Sequence, residues 1–426
     1  MFRFIHAADL HLDSPLRGLD QYEGAPVDVL RRAGRAALEN LVALALEERV
    51  RFVVLAGDLF DGDWPDVNTG LFFARQMSRL REAGIAVYLI YGNHDAANRM
   101  TRTLPYPENV RIFPPDRPQQ FPVDGLPVVV HGQSYARQDV RENLVARYPA
   151  PQEGCFNIGL LHTALNGREG HEPYAPCTVE QLLALGYQYW ALGHVHQRQS
   201  VSPNPLRLIE FPGNIQGRHV REAGAKGCLL VHVDSDQHAT TKFQPLDVCR
   251  WARVEVDCRD VAARQTLVRI VVERLQEELD EAEGRLLAAR IVLRGSCPLH
   301  HQLLARREEF RDDIRARATD LYGEQVWIEK LEVRTAAPAA DADDSELPED
   351  AFSEIHRVLE ELRRDPDTLQ GLLDTTDLKH LRHKLPPELR DGDYLLDFSA
   401  ADVIAELLDQ AAALLLDQRG AAEDRP

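Results

Sequence analysis

Five short polar motifs carry the residue types in this chain that could do chemistry. They are Asp9-Leu10-His11, Gly57-Asp58, Gly92-Asn93-His94-Asp95, a lone His162, and Gly193-His194-Val195-His196. Aspartate, histidine and asparagine, with no cysteine among them, offer mixed oxygen and nitrogen donors. Such a set suits borderline divalent cations such as manganese, iron or zinc, and neither an all-oxygen calcium cage nor a thiolate zinc knot. In an Asp-x-His unit on a strand end, the two-residue alternation predicts both side chains on one side of the backbone, able to close on one ion. The same expectation holds for His194 and His196. Glycines at 57, 92 and 193 fit turns where the backbone must bend sharply or approach an ion.

Each motif follows an apolar, strand-like run: Phe2 to Ile5, Arg51 to Ala56, Ala86 to Ile90, Phe156 to Leu161 and Tyr187 to Leu192. The expectation is that the ligands gather at the same edge of one sheet, which is how a two-metal site is built. Amphipathic helices are predicted from about Pro26 to Arg49 and from about Asn68 to Ala83, giving a β-α-β rhythm with helices covering a central sheet. After His196 the pattern is strand-rich: Leu206 to Glu210, Cys228 to Val233 and Thr240 to Phe243. From Trp251 to Arg334 it reads strand (Ala252 to Asp257), helix (Val261 to Glu283), strand (Leu286 to Leu293), helix (Leu299 to Tyr322) and strand (Gln325 to Val333). A linker rich in Ala, Pro and acid follows over 335–350. Beyond it, Ala351 to Arg364 and Ala400 to Gln418 read as helices, the latter with the apolar stripe Val403, Ile404, Leu407, Leu408, Ala411, Leu414 and Leu415. That stripe is open to two readings: packing on its own domain or docking on a partner.

The order Asp-x-His, Gly-Asp, Gly-Asn-His-Asp, His, Gly-His-x-His resembles the calcineurin-like metallophosphoesterase superfamily over roughly residues 1 to 250. The stretches FIHAADLH (Phe4 to His11), LAGDLF (Leu55 to Phe60), YGNHD (Tyr91 to Asp95) and LGHVH (Leu192 to His196) are most similar to its DNA-repair exonuclease branch, the SbcD- and YhaO-type proteins. The resemblance implies an α/β fold: a four-layer α-β-β-α sandwich over 1–250, a small α+β capping domain over 251–334, a flexible acidic linker over 335–350 and a helical partner-binding region over 351–426. It implies two divalent ions, manganese first with iron or zinc as alternatives. One would be held by Asp9, His11, Asp58 and His196, the other by Asp58, Asn93, His162 and His194, with Asp58 bridging. His94 is left to face the scissile phosphate and Asp95 to orient it, although Asp95 is open to a second reading as a loop or helix cap. Pro212 to His219 resembles the Pro-Gly-Ser loop that borders such sites, with Asn214 in place of Ser, and Arg218 and His219 are candidates to touch substrate. The implied activity is metal-dependent DNA phosphodiester hydrolysis, 3′ to 5′ exonucleolytic with single-strand endonuclease activity. The implied partners are DNA and an SMC-like coiled-coil ATPase held by the C-terminal helices, with homodimerisation left open. The rival readings are a small-molecule phosphodiesterase or phosphatase on the same core, and a non-catalytic scaffold.

Composition frames these expectations. A chain of 426 residues with 44% apolar content has room for two or three folded domains. The net charge of −19 opposes a protein that coats nucleic acid by electrostatics alone. Bound ions would offset it by roughly four positive charges where phosphate docks. Much of the acid also lies elsewhere, as at Asp341, Asp343, Asp344, Glu346, Glu349 and Asp350. Six dispersed cysteines without C-x-x-C pairing suit reduced thiols. With no long apolar run and no leader-like segment, the expectation is a cytoplasmic protein without a membrane partner.

Overall fold

The structure is a computed structural model that describes residues 1–16, 24–61, 67–97, 106–165 and 174–338. The expected helical region 351–426, and the linker from residue 339 onward, lie outside the described residues.

In chain order the first part reads β1 (Phe2–Ala7), α1 (Val27–Glu47), β2 (Phe52–Ala56), α2 (Val67–Glu82), β3 (Ala86–Ile90), α3 (Asn93–Ala97), β4 (Val110–Ile112), β5 (Gln119–Pro122) and β6 (Val128–Gly132). It continues with β7 (Phe156–His162), α4 (Val179–Ala184), β8 (Tyr189–Gly193), β9 (Gln199–Ser200), β10 (Leu208–Phe211), β11 (Gly227–Val233) and β12 (Ala239–Pro245). These strands form not one sheet but two of six strands each, ordered β12-β11-β1-β2-β3-β4 and β5-β6-β7-β8-β10-β9. The expectation of ligands at the edge of a single sheet is therefore corrected: β1, β2 and β3 belong to the first sheet, β7 and β8 to the second. The cause is that strands buried on both faces pair in parallel and need helical or long crossovers, which lets consecutive runs leave one sheet and start another.

Layering follows from which side chains meet. Alternate residues of the first sheet, among them Ile5, Val53, Leu55 and Val87, pack with Leu38, Leu41 and Val42 of α1 and Phe73, Met77 and Leu80 of α2. The opposite face, with Phe4, Phe52 and Val54, meets Val130, Ile158, Leu160 and Tyr189 of the second sheet. The outer face of the second sheet, with Leu161, Trp190, Leu192 and Ile209, packs with Leu182 of α4. Helix, sheet, sheet, helix is the resulting order. Burial of this many aliphatic and aromatic side chains, each worth about 1.5–3 kcal/mol, is what holds it.

Polar contacts also cross between the sheets. His6 of β1 is fully buried, accepting at Nδ1 from the Tyr189 hydroxyl (2.9 Å) and donating from Nε2 to the Leu192 carbonyl (3.1 Å). A neutral imidazole has one donor and one acceptor, and here both are used.

The described chain divides into two compact units, the second comprising 254–277, 290–323 and 330–338. The elements concerned are β13 (Cys249–Asp257), α5 (Arg264–Glu281), β14 (Leu286–Ser296), α6 (His300–Ala305), α7 (Arg307–Tyr322) and β15 (Val326–Ala336), with strand order β13-β14-β15. The single helix expected from Leu299 to Tyr322 is two, broken at Arg306, whose φ of −122° and ψ of 35° leave the helical region. Within this unit Leu267, Val271 and Leu275 of α5 and Phe310 and Ile314 of α7 are buried, and Arg264 bonds Asp313 and sits 4.7 Å over the Phe310 ring. All six cysteines are free thiols, five of them buried. Among the described residues no helix is long and apolar enough to cross a membrane.

Burial pushes the His6 imidazole down to about 3 against a weaker upward pull from the Leu192 carbonyl. The unfolded chain then binds a proton at His6 near pH 6.5 that the native state refuses, so this residue's contribution is present above pH 6.5 and is lost as pH falls toward 3. Between pH 7.5 and 5 the loss is about 2 kcal/mol. Urea unfolding at the two pH values should show a steeper acid-side loss for the wild type than for His6→Gln. Equal slopes would remove His6 as a source of acid sensitivity.

Candidate metal centre

All five motifs stand at the C-terminal ends of parallel strands, β1, β2, β3, β7 and β8, where open α/β sheets place their ligands. The side chains are not gathered by strand alternation, as the Asp-x-His spacing led us to expect. β1 has ended at Ala7, and Asp9 and His11 both lie in the left-handed region, with φ of 52° and 43°. Asp58 (52°) and His194 (99°) share this backbone strain, uncommon for residues with a Cβ and concentrated in native structures at functional sites. Backbone pairing stabilises the turns beyond the strands: Asp9 N–H donates to Gly57 O, His11 N–H to Asp58 O and Leu12 N–H to Leu59 O, at 2.9–3.0 Å. Three glycines are obligatory here: a Cβ on Gly193 would stand 2.0 Å from the Ala56 carbonyl oxygen. A Cβ on Gly92 would stand 2.2 Å from Asp58 Oδ1, and one on Gly57 would stand 2.5 Å from His162 Nδ1 at a φ of 91°.

The carboxylates tie the motifs together. Asp9 accepts from the His194 N–H (3.1 Å) and Asp58 from the His94 N–H (3.0 Å). The ligand atoms of Asp9, His11 and His196 lie within 4.8 Å of one another, and so do those of Asp9, Asp58 and His162. His11, Asp58 and His94 form a third such group. His11 Nε2 and His196 Nε2 face each other at 3.0 Å, an arrangement with at most one proton to share. His162 donates from Nδ1 to Ala56 O (2.9 Å), which leaves Nε2 aimed at two oxygens, Asn93 Oδ1 at 3.0 Å and Asp58 Oδ2 at 3.4 Å. A nitrogen lone pair and two oxygens turned on one point need a proton or a cation between them. The donors brought together suit divalent ions, and the close groups overlap: Asp9 is common to the first two, Asp58 to the last two and His11 to the first and third. His194, expected beside the second ion, joins none of the close groups. Its ring stands edge-on to His162 at 5.2 Å between centroids.

Charge states reflect the crowding. Burial, more than any neighbour, raises the Asp9 carboxyl above its usual range, and Asp58 adds to the rise while His196 and His162 oppose it. Burial also pushes on Asp58, but the charge and hydrogen bond of His162, with His11 and His94, hold it well below the usual range. His162 is correspondingly up at about 9, its own burial outweighed by Asp58, and burial followed by Arg218 brings His11 down to about 4.

His94 is an accessible imidazole of the cluster, its side chain 36% exposed against 27% for His196 and 0% for His162. The role expected of Asp95 passes to another residue. The Asp95 carboxylate accepts from the backbone N–H groups of Leu59, Phe60 and Gly92 (3.0–3.1 Å), so it is the cap that clamps two ligand loops together. Asp61 holds His94 instead, its Oδ1 2.7 Å from Nδ1. Against the opposing effect of burial, that bond and the charges of Asp58 and Asp61 raise the His94 imidazole. Asp61 was legible as the second acid of GDLFD, but its spacing from Asp58 says nothing of what it meets. Glu222 carried no signal at all, yet its Oε1 lies 2.7 Å from His196 Nδ1. Arg218 is not a freely solvated loop residue: its side chain is 19% exposed and bonds both Glu222 and Asp61.

Donors so arranged define a hydrolase centre for two metal ions acting on a phosphoester. The chain belongs to the calcineurin-like metallophosphoesterase family. The family model described as calcineurin-like phosphoesterase matches residues 2–198, and that described as metallophosphoesterase YhaO, middle domain, matches residues 251–336. The chain is 38% identical to a metallophosphoesterase YhaO of Bacillus subtilis, itself described as uncharacterized, over 69% of this chain and 72% of that one. It is 24% identical to the DNA double-strand break repair protein Mre11 of Sulfurisphaera tokodaii, over 73% of this chain and 78% of that one. To the Mre11 of Methanopyrus kandleri it is 25% identical, over 70% and 66%.

With Asp58 as the bridge and Asp9 as a ligand of one ion, as the family resemblance implies, Asp58→Asn should lower occupancy at both metal positions, whereas Asp9→Asn should mainly empty one. Elemental analysis after manganese loading distinguishes them, and two full ions retained by Asp58→Asn would end the bridging assignment.

Proposed function

We propose that this metallophosphoesterase is a manganese-dependent DNA phosphodiesterase, a 3′ to 5′ exonuclease with single-strand endonuclease activity that works with an SMC-like coiled-coil ATPase. The observation that carries the reading is the pairing of clustered candidate metal ligands with an accessible imidazole, His94, held by Asp61 at its edge. Likeness to relatives named for double-strand break repair supports DNA as the substrate.

When bound, the two ions supply Lewis acidity and an activated water for in-line displacement at phosphorus. The chain's own residues do the rest. Asp61 accepts from Nδ1 of His94 and favours the charged ring, so in the imidazolium Nε2–H is left to donate to a phosphoryl oxygen or to protonate the leaving oxygen. Asp95, through Leu59, Phe60 and Gly92, keeps the loops of Asp58 and His94 at fixed separation, which supplies orientation.

Purified protein loaded with manganese, iron or zinc should degrade labelled linear DNA in preference to cyclic nucleotides or a chromogenic phosphodiester. A preference for either small substrate would favour the phosphodiesterase reading instead. His94→Ala should keep both metals and bind DNA while kcat falls by about 10²–10⁴. Loss of metal in that variant would make His94 a ligand.

The partner rests on the sequence of the tail. The stripe from Val403 to Leu415 recurs at helical spacing after an Ala-, Pro- and acid-rich linker, a design suited to tethering a coiled coil. Deleting 351–426 should leave metal content, melting temperature and single-strand cleavage near wild type and abolish ATP-stimulated work on duplex ends. A truncated protein that aggregates or melts several degrees lower would show that the stripe packs on its own body.

A further inference from the structure

His196 and His94 sit at opposite ends of one chain of charged hydrogen bonds. Glu222, 5% exposed, uses four of its acceptor positions. Oε1 accepts from His196 Nδ1 (2.7 Å) and Arg218 Nη2 (2.9 Å), and Oε2 from Asn214 Nδ2 (2.9 Å) and the Arg218 backbone N–H (2.8 Å). The Arg218 guanidinium continues through Nη1 to Asp61 Oδ2 (3.2 Å), which also takes the Ser14 hydroxyl (2.5 Å). The other Asp61 oxygen lies 2.7 Å from His94 Nδ1.

Arg218 Nη2 also lies 3.2 Å from His196 Nδ1, so two assignments compete for that nitrogen. If Nδ1 carried a lone pair it could accept from Arg218, but it would face the lone pairs of an ionised carboxylate at 2.7 Å. The shorter, charge-assisted contact decides: Nδ1 is protonated and donates to Glu222. Its Nε2 is then the lone pair turned toward His11. Fixing one ring nitrogen through a carboxylate is how a histidine ligand is oriented and made more basic.

We infer that Glu222 and Arg218 are positioning residues which hold His196 and His94 in the same Nδ1-protonated form, joining the metal pocket to the phosphate-facing imidazole through Asp61. This rests on the two-ion reading of the site. It also reassigns Arg218, which the sequence offered as a substrate contact. A guanidinium already divided between two carboxylates has its fork occupied, and it cancels the repulsion those carboxylates would otherwise exert on each other.

The test uses the full chain stripped of metal, with Glu222→Gln, Arg218→Met and Arg218→Lys. Manganese is the probe, followed by calorimetry, and imidazole ¹H–¹⁵N correlation spectra report the ring tautomers. Glu222→Gln and Arg218→Met should weaken one of the two manganese sites by about 10–100-fold. They should lower kcat on a single-stranded oligonucleotide with KM nearly unchanged, and Arg218→Lys should restore only part of either loss. A rise in KM above tenfold with manganese affinity intact in Arg218→Met would make Arg218 a phosphate contact and overturn the inference. An Nε2-protonated His196 in the metal-free wild type would overturn it without any variant, which matters if Glu222→Gln fails to fold. Wild type binding fewer than two manganese ions would instead refute the two-ion reading, and the tautomer would still decide the inference.

Discussion

The centre depends on holding carboxylates and imidazoles closer than their charges and hydration would allow in open solution. Asp9 and Asp58 are almost fully buried, with burial pushing each toward its neutral form, and their neighbours are histidines that share their space. Such a cluster lasts only if the backbone around it is stiff enough to resist relaxation, because unpaired buried charge costs several kcal/mol per group. The stiffness comes from loops that bond one another. Asp9 takes the His194 N–H, Asp58 the His94 N–H, and Asp95 three N–H groups from two loops. The left-handed turns at Asp9, His11, Asp58 and His194 are strain that the surrounding sheets over-determine.

Two sheets rather than one make this possible. The motifs after β1, β2 and β3 approach from the first sheet and those after β7 and β8 from the second, so ligands converge from two directions on one crevice. His162 shows the geometry: it ends β7 in the second sheet, yet its Nδ1–H reaches the Ala56 carbonyl at the end of β2 in the first. The apolar face between the sheets, with Phe4, Phe52, Ile158 and Tyr189 in contact, fixes their separation, and His6 adds a polar link beside it. Packing in the core thereby sets the distances at the site.

Around the donors lies a second set of residues that set orientation: Asp61 for His94, Glu222 for His196, with Arg218 between them. It explains how an imidazole at the rim and one in the pocket can act as a unit. Both are partly open to solvent, the His94 side chain at 36% and that of His196 at 27%.

The sequence by itself determined which residues are candidates to chelate, the order of the main strands and helices, and the family, because ligand chemistry and apolar periodicity are local properties of the chain. β3 is read to the residue from its apolar run, and α1, expected from Pro26 to Arg49, spans Val27–Glu47. What only the tertiary structure decided are relations between segments distant in the chain. Which motif-bearing strands belong to which of the two sheets, that Asp95 caps loops while Asp61 holds His94, and that His194 stands outside the close ligand groups all depend on directions in space. Glu222 is the clearest case: it lies 26 residues from His196 in a short 3₁₀ turn, and nothing in its neighbours' spacing marks it. Hydrogen bonds of that range are fixed by how sheets and loops pack, and packing is a property of the whole fold rather than of any window of sequence.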